Sequence, residues 1–154
     1  MAMRALVAGG RTDYVPDFER DHMDTLDPSA AKAYERDHAT SFRLRTPSEH
    51  EAANLENLDV VQCFPDGSWR QPRMGEAIAY ACRVGIVGWT NVLDEDGDPV
   101  AFEGRRDKDE KLVGATKADV SRLPSNLRAE LYAEIKKLCQ VLDPVFPESA
   151  SEHG

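Results

Sequence analysis

Apolar positions along the chain switch between two periods, and the switches mark the elements. Ser41-Phe42-Arg43-Leu44-Arg45 alternates with period two, as a half-buried strand does. It runs into Thr46-Pro47-Ser48-Glu49, which predicts a helix start with Thr46 as N-cap, Pro47 at the first helical position and Glu49 closing a capping box. Ala52, Leu55 and Leu58 then fall on one helical face. From Pro72, Ile78, Ala81, Cys82 and Gly85 recur at helical spacing, with Met74, Ala77 and Val84 widening the stripe and Gly85 or Gly88 ending it. The clearest helix starts at Pro124-Ser125 and carries Leu127, Leu131, Ile135 and Leu138 inward. Lys136 and Lys137 suit the negative end of its dipole.

Weaker patterns fill the rest. Leu6-Val7, the turn Gly9-Gly10 and the return through Tyr14-Val15 predict an N-terminal β-hairpin. Residues 17–40 are polar and acidic, with a short helix expected after Pro28. Val60-Val61 and Cys63-Phe64 lead into the turn Pro65-Asp66-Gly67. Trp89 to Gly104 reads as two short extended segments around the Asp96-Gly97 turn. Residues 103–116 read as a charged loop, followed by a short helix over 117–123. The expected fold is α+β: an N-terminal β-hairpin and short strands packed on about three helices, in one domain over 1–142, with a flexible tail over 143–154. Its core should draw on Leu6, Val7, Leu44, Leu55, Leu58, Ile78, Cys82, Leu127, Leu131, Ile135 and Leu138.

A length of 154 residues suits one such domain, which buries roughly 70% of its unfolded surface. The net charge of −9 repels phosphate backbones and argues against nucleic acid as a partner. Cys63, Cys82 and Cys139 are widely spaced and odd in number, the usage of a reducing cytoplasm rather than a disulfide framework. The apolar-rich segment from Ala77 to Trp89 contains Arg83 and is too short to span a bilayer, so no membrane role is expected.

Candidate chemistry centres on a repeated word. Phe18-Glu19-Arg20-Asp21-His22 returns as Tyr34-Glu35-Arg36-Asp37-His38, which raises the question of a metal or acid–base site. Adjacent Asp and His side chains point apart in any regular structure, and the spacing lacks the i, i+4 pairing of helical ligands. No metal is expected there; the aromatic residues Phe18 and Tyr34 are the better candidates, as anchors for a partner. The run Asp94-Glu95-Asp96-Gly97-Asp98 resembles an EF-hand start, but Pro99 and Arg105 stand where that loop needs Gly and Glu. A solvated turn is the simpler reading. Cys82 sits in an apolar stripe, His50 lies just inside a helix start, and the chain has neither a GxSxG nor a phosphate-binding glycine loop. Neither an enzyme nor a cofactor is expected. Trp69 and Trp89 each read first as core residues and second as interface anchors.

Three segments, LVAGGRTDYVPDFERD, FRLRTPSEHEAANLENL and VGIVGWTNVLDEDGDPVAFEG, are followed by the Leu-Pro-led helix LPSNLRAELYAEI. Together the layout resembles small tailed-bacteriophage proteins of the tail-assembly-chaperone-like kind. The resemblance implies a non-enzymatic morphogenesis protein in the host bacterial cytoplasm, working by contacts with tape-measure or other phage structural proteins, or with copies of itself. It also leaves open a minor virion protein at the head–tail junction, capsid or tail. An alternative from the charge alone is a host-directed inhibitor that binds a basic partner. The contact residues this reading selects are Trp89, Asp94, Asp96 and Asp98, with Phe18 and Tyr34 second.

Overall fold

The computed structural model describes residues 10–142. In chain order these form β1 (Arg11–Tyr14), α1 (Asp17–Met23), α2 (Pro28–Asp37), β2 (Ser41–Arg45), α3 (Glu49–Asp59), β3 (Gln62–Cys63), β4 (Trp69–Arg70), α4 (Met74–Gly85), β5 (Ile86–Thr90), β6 (Arg105–Arg106), β7 (Leu112–Gly114), α5 (Lys117–Ser121) and α6 (Ser125–Leu142). The fold is α+β, as the patterns predict. A three-stranded antiparallel sheet runs β1-β2-β5, and two small hairpins, β3-β4 and β6-β7, form sheets of their own.

β2 is the centre of the sheet, and its period-two alternation sends Phe42 and Leu44 inward while Arg43 faces out. Against that face packs α4, whose apolar stripe delivers Ala77, Ala81 and Cys82 to the same core as Leu55 of α3 and Leu127, Leu131 and Ile135 of α6. Leu58, Ile78 and Leu138 pack at its edge, half-buried. Leu6 and Val7, the first arm of the expected hairpin, and the tail 143–154 lie outside the described residues. The second arm, β1, pairs with β2 from Arg11↔Arg45 to Tyr14↔Phe42.

Several expectations are corrected. The N-cap of α3 is Ser48, whose side chain accepts from Glu51 N while Glu51 reaches back to Ser48 N, two residues beyond the expected box. Thr46 instead continues the sheet by donating its backbone N–H to Gly10 O at 2.8 Å, and it is buried. Residues 17–23 form a helix that their composition hides. The charged stretch after Glu103 is a hairpin rather than a loop, closed by Asp107, whose Oδ1 accepts from Asp109 N and Lys111 N. α4 passes directly into β5, so Ile86 is at once helix cap and first strand residue.

At Gly85, α4 packs against Ile135 of α6 with no room for a side chain. A Cβ there would stand 2.5 Å from Ile135 Cδ1 and 2.7 Å from Ile135 Cγ1. Gly85→Ala should therefore lower stability by about 1–3 kcal/mol through overpacking, against the usual gain from alanine in a helix. A urea midpoint equal to that of the parent would show this interface to be looser than described.

Candidate functional site

Of the residues singled out for contact, Phe18 lies far in sequence from Asp94 and Asp96 but meets them in space, whereas Asp98, Tyr34 and Trp89 stand outside their meeting place. The first three line one groove of about 1320 Å³ between α1, the 92–101 hairpin and the corner where α5 turns into α6. Its apolar walls include Phe18, Leu93, Val100, Leu123 and Leu127, and Asp94, Glu95, Asp96 and Glu130 supply negative charge. Phe18 and Leu93 are more than half exposed, at 55% and 57%.

Each wall has a local cause. The hairpin turn is closed by Asp94, whose Oδ1 accepts from Asp96 N and Asp98 N, both at 2.9 Å, while Gly97 takes φ +82°. This self-contained turn draws the carboxylates of Asp94, Asp96 and Asp98 within 4.8 Å of one another, all exposed. Leu93 pairs with Pro99, and Val100 N donates to Val92 O. Beneath, Trp89 Nε1 donates to Val100 O at 2.8 Å, and its ring lies edge-on between Phe42 and Phe102. Trp89 thus holds the hairpin from inside and does not line the groove. On the entering side Thr40 Oγ1 donates to Asn91 O and Asn91 Nδ2 donates to Ala39 O.

Asp119 locks the leaving side, and no sequence signal beyond the Thr116-x-x-Asp119 spacing points to it. Fully buried, its Oδ1 accepts from Glu103 N at 2.9 Å and its Oδ2 from Gly104 N at 2.8 Å and Thr116 N at 2.9 Å. Burial raises its pKa, but the backbone N–H groups of Thr116, Glu103 and Gly104 outweigh that and hold the carboxyl below the usual range. Arg122 adds a bond to Ala101 O and an ion pair with Glu103.

The repeated words resolve into unequal partners. Glu19, from the first, is buried and accepts from Tyr34 Oη at 2.8 Å and from Thr40 N. Glu35, from the second, is exposed. His22 stands edge-on to the Tyr34 ring with centroids 4.7 Å apart, and His38 packs against the same ring at 5.9 Å. The histidines are therefore packing partners of Tyr34, and Tyr34 joins α1 to α2 while Phe18 stays at the groove. The hydrogen bond to Glu19, with burial second, raises the Tyr34 pKa. In Glu19→Gln, a spectrophotometric titration should move the Tyr34 pKa back toward about 10, and Phe18 should lose its fixed position. An unchanged titration would mean that the Glu19–Tyr34 bond does not form. Across the helix pair, Glu130 accepts from Tyr14 Oη and, at 2.9 Å, from Asp17 N, which seats α1 on α6.

A second exposed surface went unread in the sequence. Val60, Val61, Phe64, Trp69 and Met74 are five of the seven large exposed apolar side chains among the described residues, all within 60–74. The expectation that Trp69 is a core residue is overturned: it is 58% exposed. Strands of two residues each, with a tight turn at Gly67, form an arm too small to bury it. Arg70 packs over Phe64 and donates to Gln62 Oε1. Cys82 is the core residue that its apolar stripe predicts, and burial pushes its thiol up to about 12.

Compared with known proteins, the chain matches no family model, no curated protein and no solved structure. No helix among the described residues is long and apolar enough to cross a membrane.

Proposed function

We propose that this chain works by protein–protein contact, its groove holding an apolar, helix-forming segment flanked by Lys or Arg on another protein. The observation that supports this reading is the distribution of exposed apolar surface. All seven large exposed apolar side chains among the described residues fall in two places, the groove (Phe18, Leu93) and the arm over 60–74. Scattered exposed apolar residues need no explanation, whereas collected ones mark contact sites. The acidic edge of the groove selects the cationic flanks, and its apolar walls select the helix face.

In the setting that the resemblance implies, the guest is a helix-rich stretch of a phage tape-measure protein, and the chain is a tail-assembly-chaperone-like protein in the host cytoplasm. Co-expression tests this directly. A tape-measure segment that is insoluble alone should become soluble and co-purify with the chain; a segment that stays insoluble in its presence would contradict the proposal. The arm favours a second reading, a minor virion protein, because a lasting contact uses a further exposed surface. Mass spectrometry of purified virions separates the two: abundant recovery supports the virion protein, and absence supports the chaperone.

A further inference from the structure

A smaller depression of about 380 Å³, which shares Ser121 with the groove, opens where α3, α4, α5 and α6 meet. Its walls are apolar, from Leu58, Ala79, Tyr80 and Val120. Into it come three cations, Arg83 from α4, Lys117 from α5 and Arg128 from α6. In a chain of net charge −9, none of the three has a carboxylate within ion-pair distance among the described residues. Glu76, also on the wall, is taken by Arg73 at 3.1 Å. Arg83 carries the strongest signal. Its guanidinium lies over the Tyr80 ring at 5.9 Å, and its Nε is buried with no hydrogen-bond acceptor among the described residues. That Nε is closed to solvent too, so a ligand in the depression would meet the outer nitrogens of the guanidinium, which carry its charge as well.

We infer that this depression binds a small organic oxyanion, a carboxylate or phosphate carried on an apolar body. The oxyanion would accept from Arg83 and draw on Lys117 and Arg128, while the body covers Tyr80, Leu58 and Val120. None of its three cations lines the groove, and the site does not depend on the function proposed there.

Isothermal titration of the full chain with phenyl phosphate, benzoate and inorganic phosphate tests the inference. At least one of the two organic anions should bind saturably at one site, and more tightly than inorganic phosphate; which of them is tighter identifies the headgroup. Arg83→Gln and Arg128→Gln should each weaken that binding by about tenfold or more, the usual cost of a lost charge-assisted hydrogen bond. Lys117→Gln, at an exposed position, should weaken it without touching the fold, and Arg70→Gln on the arm should leave it unchanged. The inference is overturned if neither organic anion gives saturable heat, if inorganic phosphate binds as tightly as both, or if Arg70→Gln weakens binding as much as the pocket variants do.

Discussion

Asp119→Ala is expected to cost about 3–5 kcal/mol of folding stability, a large part of the ~5–15 kcal/mol available to a domain of this kind. The reason lies in what the carboxylate leaves behind. Three backbone N–H groups, those of Glu103, Gly104 and Thr116, converge on its two oxygens in a fully buried position, and alanine accepts from none of them. Orphaned buried donors cost far more than the net worth of the bonds they made. Asp119→Asn keeps one acceptor oxygen and should fall between the two. The pH dependence follows from the sign of the shift. The folded-state pKa is depressed, so the stabilisation is complete above the unfolded carboxyl pKa of about 3.9 and is lost as pH falls through the lower folded value. Urea unfolding across the acid range should therefore show a steeper loss below about pH 4 for the parent than for Asp119→Ala. Equal slopes would show that this carboxyl is not held as described.

The second large effect concerns binding and leaves the fold intact. Phe18 and Leu93 are mostly exposed, so Phe18→Ala with Leu93→Asp removes little from the core. If these two anchor the guest, each loss is worth about 2 kcal/mol, and together they should weaken its affinity by about 10²–10³-fold. Raising the salt concentration should weaken the parent complex as well, because the flanking cations face Asp94, Glu95 and Asp96. Thermal unfolding of the double variant should match the parent, which separates lost contact from lost structure. A double variant that binds as the parent does would show that the groove is not the binding surface.

How much of this was legible along the chain depended on how local the cause was. β2 announces itself by strict alternation over its five residues, and α6 by a long apolar stripe at helical spacing. The start of α3 was misplaced because Thr46-x-x-Glu49 and Ser48-x-x-Glu51 are two overlapping capping registers, and Pro47 favoured the first. A tertiary bond from Thr46 N to Gly10 O decides between them. α1 was hidden because its seven residues carry only two large apolar side chains, and its order comes from Glu19 and Glu130, whose partners lie far away in sequence. Phe18 and the acidic turn were each visible, yet nothing local says that they face one groove. The depression around Arg83 was invisible for the same reason, since its three cations come from three helices.

Binding at the groove is read most directly from a nitrogen–proton correlation spectrum of the chain, titrated with a helical peptide bearing leucines on one face and lysines at both ends. Saturating shifts are expected in residues 18, 40, 92–101 and 121–130, absent in the Phe18→Ala/Leu93→Asp variant and absent with a peptide whose leucines are scrambled. Shifts confined to other surfaces, or none that saturate, would contradict binding at the groove.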